Sequence, residues 1–125
     1  MSARPVRLVL DTSAILAFAS GSIHVGETIS QVDENGAAFG VPIACLATAH
    51  KADERMLHLL TSHRACELLT VGVDEWRQWA VMCEVLGRLD AAAALLAAST
   101  FDCDVLTAEP DAYRALGDDP PIIAI

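Results

Sequence analysis

The sequence predicts one α/β domain, a three-layer α/β/α sandwich around a central parallel sheet. Three observations carry that expectation. Apolar runs of strand length alternate with helix-period segments along all 125 residues, the pattern of strands joined by right-handed crossovers. That length suits a single domain spanning 1–125 that buries about two-thirds of its unfolded surface. A hydrophobic fraction of 54% with only 5% aromatics describes an aliphatic core of the kind that lets helices pack closely on a sheet, and it excludes a disordered chain.

Each element has its own signal. "VRLVL" (6–10) is a continuous apolar run, as expected of a strand covered on both faces. "TSAILAFAS" follows as a short helix, which Thr12 or Ser13 can cap. Val25, Ile29 and Val32 stand at i, i+4 and i+7, a one-sided helix that "ENG" ends. "AAFGV" (37–41) reads as the second strand, and Pro42 then opens one long helix with Ile43, Leu46, Ala47, Met56, Leu57 and Leu60 on its inner side. "CELLTVGV" (66–73) is the third strand. Asp74 is placed to cap a helix in which Trp76, Trp79, Ala80 and Cys83 share a face, ending near Gly87. Asp90 starts an alanine-rich helix, "DVLT" (104–107) is the fourth strand and "PDAYRAL" a helical turn; "PIIAI" is a fifth strand or a tail.

Charge and cysteine content narrow the function classes. Seventeen acids against eight Lys and Arg give a net charge of −9, which repels phosphate backbones at long range but attracts a basic partner. A local site where metal ions bring positive charge is compatible with such a surface. The four cysteines, Cys45, Cys66, Cys83 and Cys103, lie far apart in apolar sequence with no zinc spacing; they read as reduced, buried thiols suited to the cytoplasm. A secretory leader is disfavoured because Asp11 and Thr12 split the apolar stretch it needs. The longest apolar run, 91–98, falls short of the roughly 20 residues that cross a bilayer.

Three acids fall where an open α/β sheet binds ligands, beyond the carboxyl ends of its strands. Asp11 follows the first strand, Glu109 follows the fourth, and Asp90 heads the alanine-rich helix. Carboxylates held together repel, and a divalent cation relieves the repulsion; an all-oxygen set suits Mg²⁺ or Mn²⁺. Read singly, Asp90 is a helix cap, Glu109 a solvated turn residue and Asp11 either a cap or a pocket wall. The helical spacing and apolar neighbours of Trp76 and Trp79 favour core or interface over base stacking. His24, His50, His58 and His63 show no ligand or triad spacing.

"LVLDTSAILAF", "VPIACLATA", "RLDAAAALLAA" and "VLTAEPDAY", in this order and at these separations, resemble the PIN domain family, the toxin-type ribonucleases of bacterial toxin–antitoxin systems. The resemblance runs from residue 6 to about 113. It implies an endoribonuclease that hydrolyses phosphodiester bonds of RNA with one or two Mg²⁺ or Mn²⁺ ions, which activate water and stabilise the charge forming on phosphate. It also implies a basic antitoxin partner and a homodimer. Asp11 matches the first family acid, Asp90 the third and Glu109 the fourth, usually Asp; these are the implied catalytic and metal-binding residues. Thr12, Ser13 and Thr107 match supporting hydroxyl positions. The chain departs from the pattern at Thr48, which stands where the family carries its second acid, a Glu. On a continuous helix Asp53 and Glu54 would point well away from Thr48, whereas Lys51 and Arg55, at i+3 and i+7, would share its face. The sequence therefore supports two functions: a toxin-type ribonuclease, or a catalytically degenerate PIN-like module that binds nucleic acid or protein.

Overall fold

The computed structural model describes residues 4–125 and is an α/β protein with a five-stranded, all-parallel sheet in the order β3-β2-β1-β4-β5. The strands are β1 (Val6–Leu10), β2 (Ala38–Pro42), β3 (Cys66–Leu69), β4 (Asp104–Thr107) and β5 (Ile122–Ala124). The C-terminal "PIIAI" thus supplies an edge strand, Ile122 to Ala124 pairing with Val105 to Thr107. Residues 1–3 of the expected domain lie outside the described residues.

Helices α1 (Thr12–Ala19), α2 (Ile23–Glu34), α3 (Ile43–Thr48), α4 (Glu54–Thr61), α5 (Trp76–Leu86) and α6 (Leu89–Phe101), with a 3₁₀ segment at Pro110–Leu116, connect the strands. Right-handed crossovers send α1, α2 and α4 to one face of the sheet and α5, α6 and the 3₁₀ segment to the other. The packing follows this division: α1 meets α2 and α4, while α5 meets α6 and the 3₁₀ segment. Central strands β1, β2 and β4 are buried on both faces, and this explains their continuous apolar sequence. Phe39, Leu10, Ile15, Leu60, Leu106 and Tyr113 are the largest fully buried side chains. Helix α6 packs on β1, β2 and β4 and is buried nearly all round, Asp90 through Leu96 and Ala98. Its alanines let the neighbouring elements approach closely.

Four local expectations are corrected. The single long helix after Pro42 is two helices, α3 and α4, separated by a turn at 49–53. Asp53 causes the break by acting as N-cap of α4, its carboxylate accepting from the Arg55 amide at 2.9 Å. Pro42 itself is the last residue of β2, and Ile43 opens α3. Strand β3 ends at Leu69 instead of residue 73, because Gly72 and Glu75 close a turn, the Gly72 amide donating to Glu75 Oε1 at 2.9 Å. Glu75, not Asp74, then occupies the cap position of α5, and α5 stops at Gly87, whose φ of +78° suits the left-handed helix terminus that glycine adopts without strain. Trp79 is half-buried and donates its indole N–H to Leu89 O, whereas Trp76 is exposed beside Arg77. No helix among the described residues is long and apolar enough to cross a membrane.

Candidate active site

The carboxyl edge of the sheet gathers Asp11 from the end of β1, Thr107 and Glu109 from the end of β4, and Asp90 from the first turn of α6. Asp11 and Asp90 are buried, with 5% and 8% of their surface exposed, whereas Glu109 is exposed. Each of the three acids is held by neighbours in its own chain.

Asp11 is the N-cap of α1, a role the sequence reading assigned to Thr12 or Ser13. Its Oδ1 accepts from the Ala14 amide at 3.0 Å and from Ser13 Oγ at 2.7 Å. Its Oδ2 accepts from the Tyr113 hydroxyl at 2.8 Å. Tyr113 is fully buried, and burial, reinforced by the Asp11 charge, pushes its phenol well above the ordinary range, so it stays protonated and donates. Ser13 spends its proton on Asp11 and so accepts from the Ala108 amide at 2.8 Å and from Thr107 Oγ1 at 3.1 Å. Thr107 Oγ1 in turn accepts from the Glu109 amide at 2.9 Å. Ser13 and Thr107 thus stitch β4 to the start of α1 around the Asp11 carboxylate.

Asp90 lies inside the first turn of α6, not at its cap. Its Oδ2 accepts from Thr12 Oγ1 at 2.6 Å and from Arg88 Nη2 at 2.8 Å, and its Oδ1 accepts from Arg88 Nε at 3.2 Å. Arg88 Nη1 donates to Glu109 Oε2 at 2.9 Å, so one guanidinium bridges two of the three acids. Burial works to raise the Asp90 carboxyl, but the hydrogen bonds from Arg88 and Thr12, together with the Arg88 charge, hold it below its usual range. The same contacts raise Arg88, chiefly through its hydrogen bond to Asp90. Cys45 closes the floor: its thiol donates to the Asp90 carbonyl at 3.2 Å, and burial pushes its pKa up to about 12.

Thr48 takes no part in this network. It is exposed at the end of α3, its hydroxyl donating back to Ala44 O at 2.8 Å, in a shallow depression with Leu16, Lys51 and Asp53. The α3–α4 break removes the continuous face that would have aligned Arg55 with it, and Arg55 is exposed beside Asp53, while Lys51 stays beside Thr48 in the depression. Arg88 and Tyr113 are the site residues the sequence reading missed. Arg88 sits two residues before Asp90 in "GRLD", a spacing that signals nothing until the turn into α6 is known.

The residues present do not fit a divalent cation in this arrangement. Asp11 and Asp90 each accept three hydrogen bonds from the chain, which leaves about one of a carboxylate's four lone-pair sites on each, and a fixed positive charge lies between Asp90 and Glu109. Among the described residues no buried side-chain nitrogen or oxygen lacks a partner, and no three His, Cys, Asp or Glu side chains converge to hold an ion.

No family model and no curated protein matches the sequence. Solved structures do match in fold. VapBC2 from Rickettsia felis, bound to a DNA fragment from its promoter, superposes with a TM-score of 0.67 at 12% identity, over 96% of this chain and 98% of that one. A toxin–antitoxin complex from Klebsiella pneumoniae superposes with a TM-score of 0.66 at 11% identity, over 94% and 96% of the two chains. At these identities the likeness speaks to architecture alone, and it agrees with the all-parallel sheet: the chain has a PIN-like fold.

Proposed function

We propose that the chain is a toxin-type PIN-fold protein that works through a basic, antitoxin-like protein partner, and that its acidic pocket is a degenerate centre with a binding role instead of metal-dependent RNA cleavage. The observation that carries this reading is the Arg88 guanidinium lodged between Asp90 and Glu109. Thr48, exposed and uncharged, adds no carboxylate to offset it. A net charge of −9 favours a basic protein segment over RNA, and the similar structure from Klebsiella pneumoniae is a toxin–antitoxin complex. Helix α5 buries none of its residues and leaves the i, i+4 pair Val81 and Val85 exposed on one face; that apolar face supports assembly as a homodimer.

The test is RNA cleavage by the purified protein in Mn²⁺ or Mg²⁺, with EDTA and Asp11→Asn as controls, alongside co-purification with the product of the adjacent reading frame. The expected result is no cleavage above the Asp11→Asn background and a stable complex with a small basic protein. Cleavage that requires metal and is abolished by Asp11→Asn would overturn it. That outcome would establish the second reading, a metal-dependent endoribonuclease, which one observation favours: Asp11, Asp90 and Glu109 lie along one edge of the sheet and are linked through Thr12, Ser13, Thr107 and Arg88.

A further inference from the structure

We infer that Arg88 is the resident cation of the acidic pocket: its guanidinium, bridging Asp90 and Glu109, takes the place of a divalent ion and keeps the pocket closed to metal. The geometry is a side-on fork, Nε and Nη2 on the two oxygens of Asp90 at 3.2 and 2.8 Å, with Nη1 turned to Glu109 at 2.9 Å. All three nitrogens of the guanidinium are therefore committed to carboxylates, the planar two-pronged match that arginine makes and lysine does not.

Three physical features make Arg88 a strong competitor for an incoming ion. Its backbone sits at the cap position of α6, two residues from Asp90, so the charge is tethered at the site and meets its partners intramolecularly. Asp90 is also pinned from the other side by Thr12 Oγ1 at 2.6 Å, so the carboxylate cannot rotate toward an ion without breaking a second buried hydrogen bond. An ion that did enter would have to displace the half-buried guanidinium from both carboxylates and break its three hydrogen bonds. Glu109, with 53% of its side chain exposed, is the weaker of the two contacts and the place where the bridge would open first.

The measurement is calorimetric titration of Mn²⁺ into the full chain, comparing the unmodified protein with Arg88→Gln, Arg88→Lys and the double variant Arg88→Gln/Asp90→Asn. Removing one like charge beside a half-exposed site predicts that Arg88→Gln gains Mn²⁺ affinity by roughly tenfold or more. Arg88→Lys keeps the charge but loses the fork, and its affinity falls between those of the unmodified protein and Arg88→Gln. The double variant loses the gain, which places the ion at Asp90. The inference is overturned if Arg88→Gln binds Mn²⁺ no better than the unmodified protein, or if the gain survives Asp90→Asn. Should Arg88→Gln fail to fold, Arg88→Lys decides alone, and absence of any gain there overturns the idea. The inference needs the acids to form one pocket but does not need a protein partner. Tight Mn²⁺ binding by the unmodified protein would sink both it and the proposed function, whereas an unresponsive Arg88→Gln would sink only the inference.

Discussion

Replacing Tyr113 by Phe removes one oxygen atom and leaves the packing of a fully buried ring unchanged. The lost hydroxyl is the donor to Asp11 Oδ2 at 2.8 Å. A hydrogen bond to a charged group contributes about 1.5–3 kcal/mol, and leaving a buried carboxylate oxygen unpaired costs a similar amount. Asp11 is only 5% exposed, so water cannot readily replace the phenol. The expected destabilisation is therefore about 2 kcal/mol, which for a domain of this length lowers Tm by about 8 °C. Thermal unfolding followed by circular dichroism, with urea titration to check that the m-value is unchanged, measures it. A Tm within about 2 °C of the unmodified protein would refute the reasoning, because Oδ2 of Asp11 would then be satisfied without Tyr113 and free to serve another partner.

Three further outcomes follow from the packing and the charges. The Asp33 carboxyl, pinned by Arg64 at 2.9 Å and Arg4 at 2.7 Å, is lowered from 3.8 to about 2, chiefly by hydrogen bonds from those two arginines. A depressed folded value stabilises above the unfolded value and is lost as pH falls through the folded one, so acid titration of stability should be shallower between 3.8 and about 2 in Asp33→Asn than in the unmodified protein; equal slopes would contradict the pairing. Phe39→Ala, at a fully buried core position, should cost about 3–5 kcal/mol in urea unfolding, and a loss under about 1 kcal/mol would show the core to be loosely packed there. Cys45, buried with its pKa pushed up to about 12, should resist maleimide in the native protein and react only on denaturation, as a mass-mapped labelling time course would show; native-state labelling as fast as in urea would contradict its place beneath Asp90.

Much of the fold was legible because its signals are local. Strands β1, β2 and β4 are buried on both faces, so their sequences are continuous apolar runs, and the acids just after β1 and β4 mark the sheet's carboxyl edge. The break between α3 and α4 was not legible, since the apolar spacing from Ile43 to Leu60 continues across it and only the capping of Arg55 by Asp53 reveals the stop. The state of the candidate site was hidden for a different reason. Tyr113 reaches Asp11 across 102 positions and Arg88 reaches Glu109 across 21, distances closed only by the crossovers. Sequence position placed the carboxylates together, but what occupies their lone pairs depends on those long-range contacts. Thr48 shows the converse: its departure from the family pattern was visible in the sequence, and its exposed hydroxyl bonds only to its own helix.

A crystal structure of the unmodified protein soaked in millimolar Mn²⁺, with data collected at the manganese absorption edge, tests whether Arg88 holds the acidic pocket against metal. The expected map has no anomalous peak among Asp11, Asp90 and Glu109, with the Arg88 guanidinium still bridging Asp90 and Glu109 and Tyr113 still donating to Asp11. A manganese peak coordinated by those carboxylates, with Arg88 swung out to solvent, would contradict it.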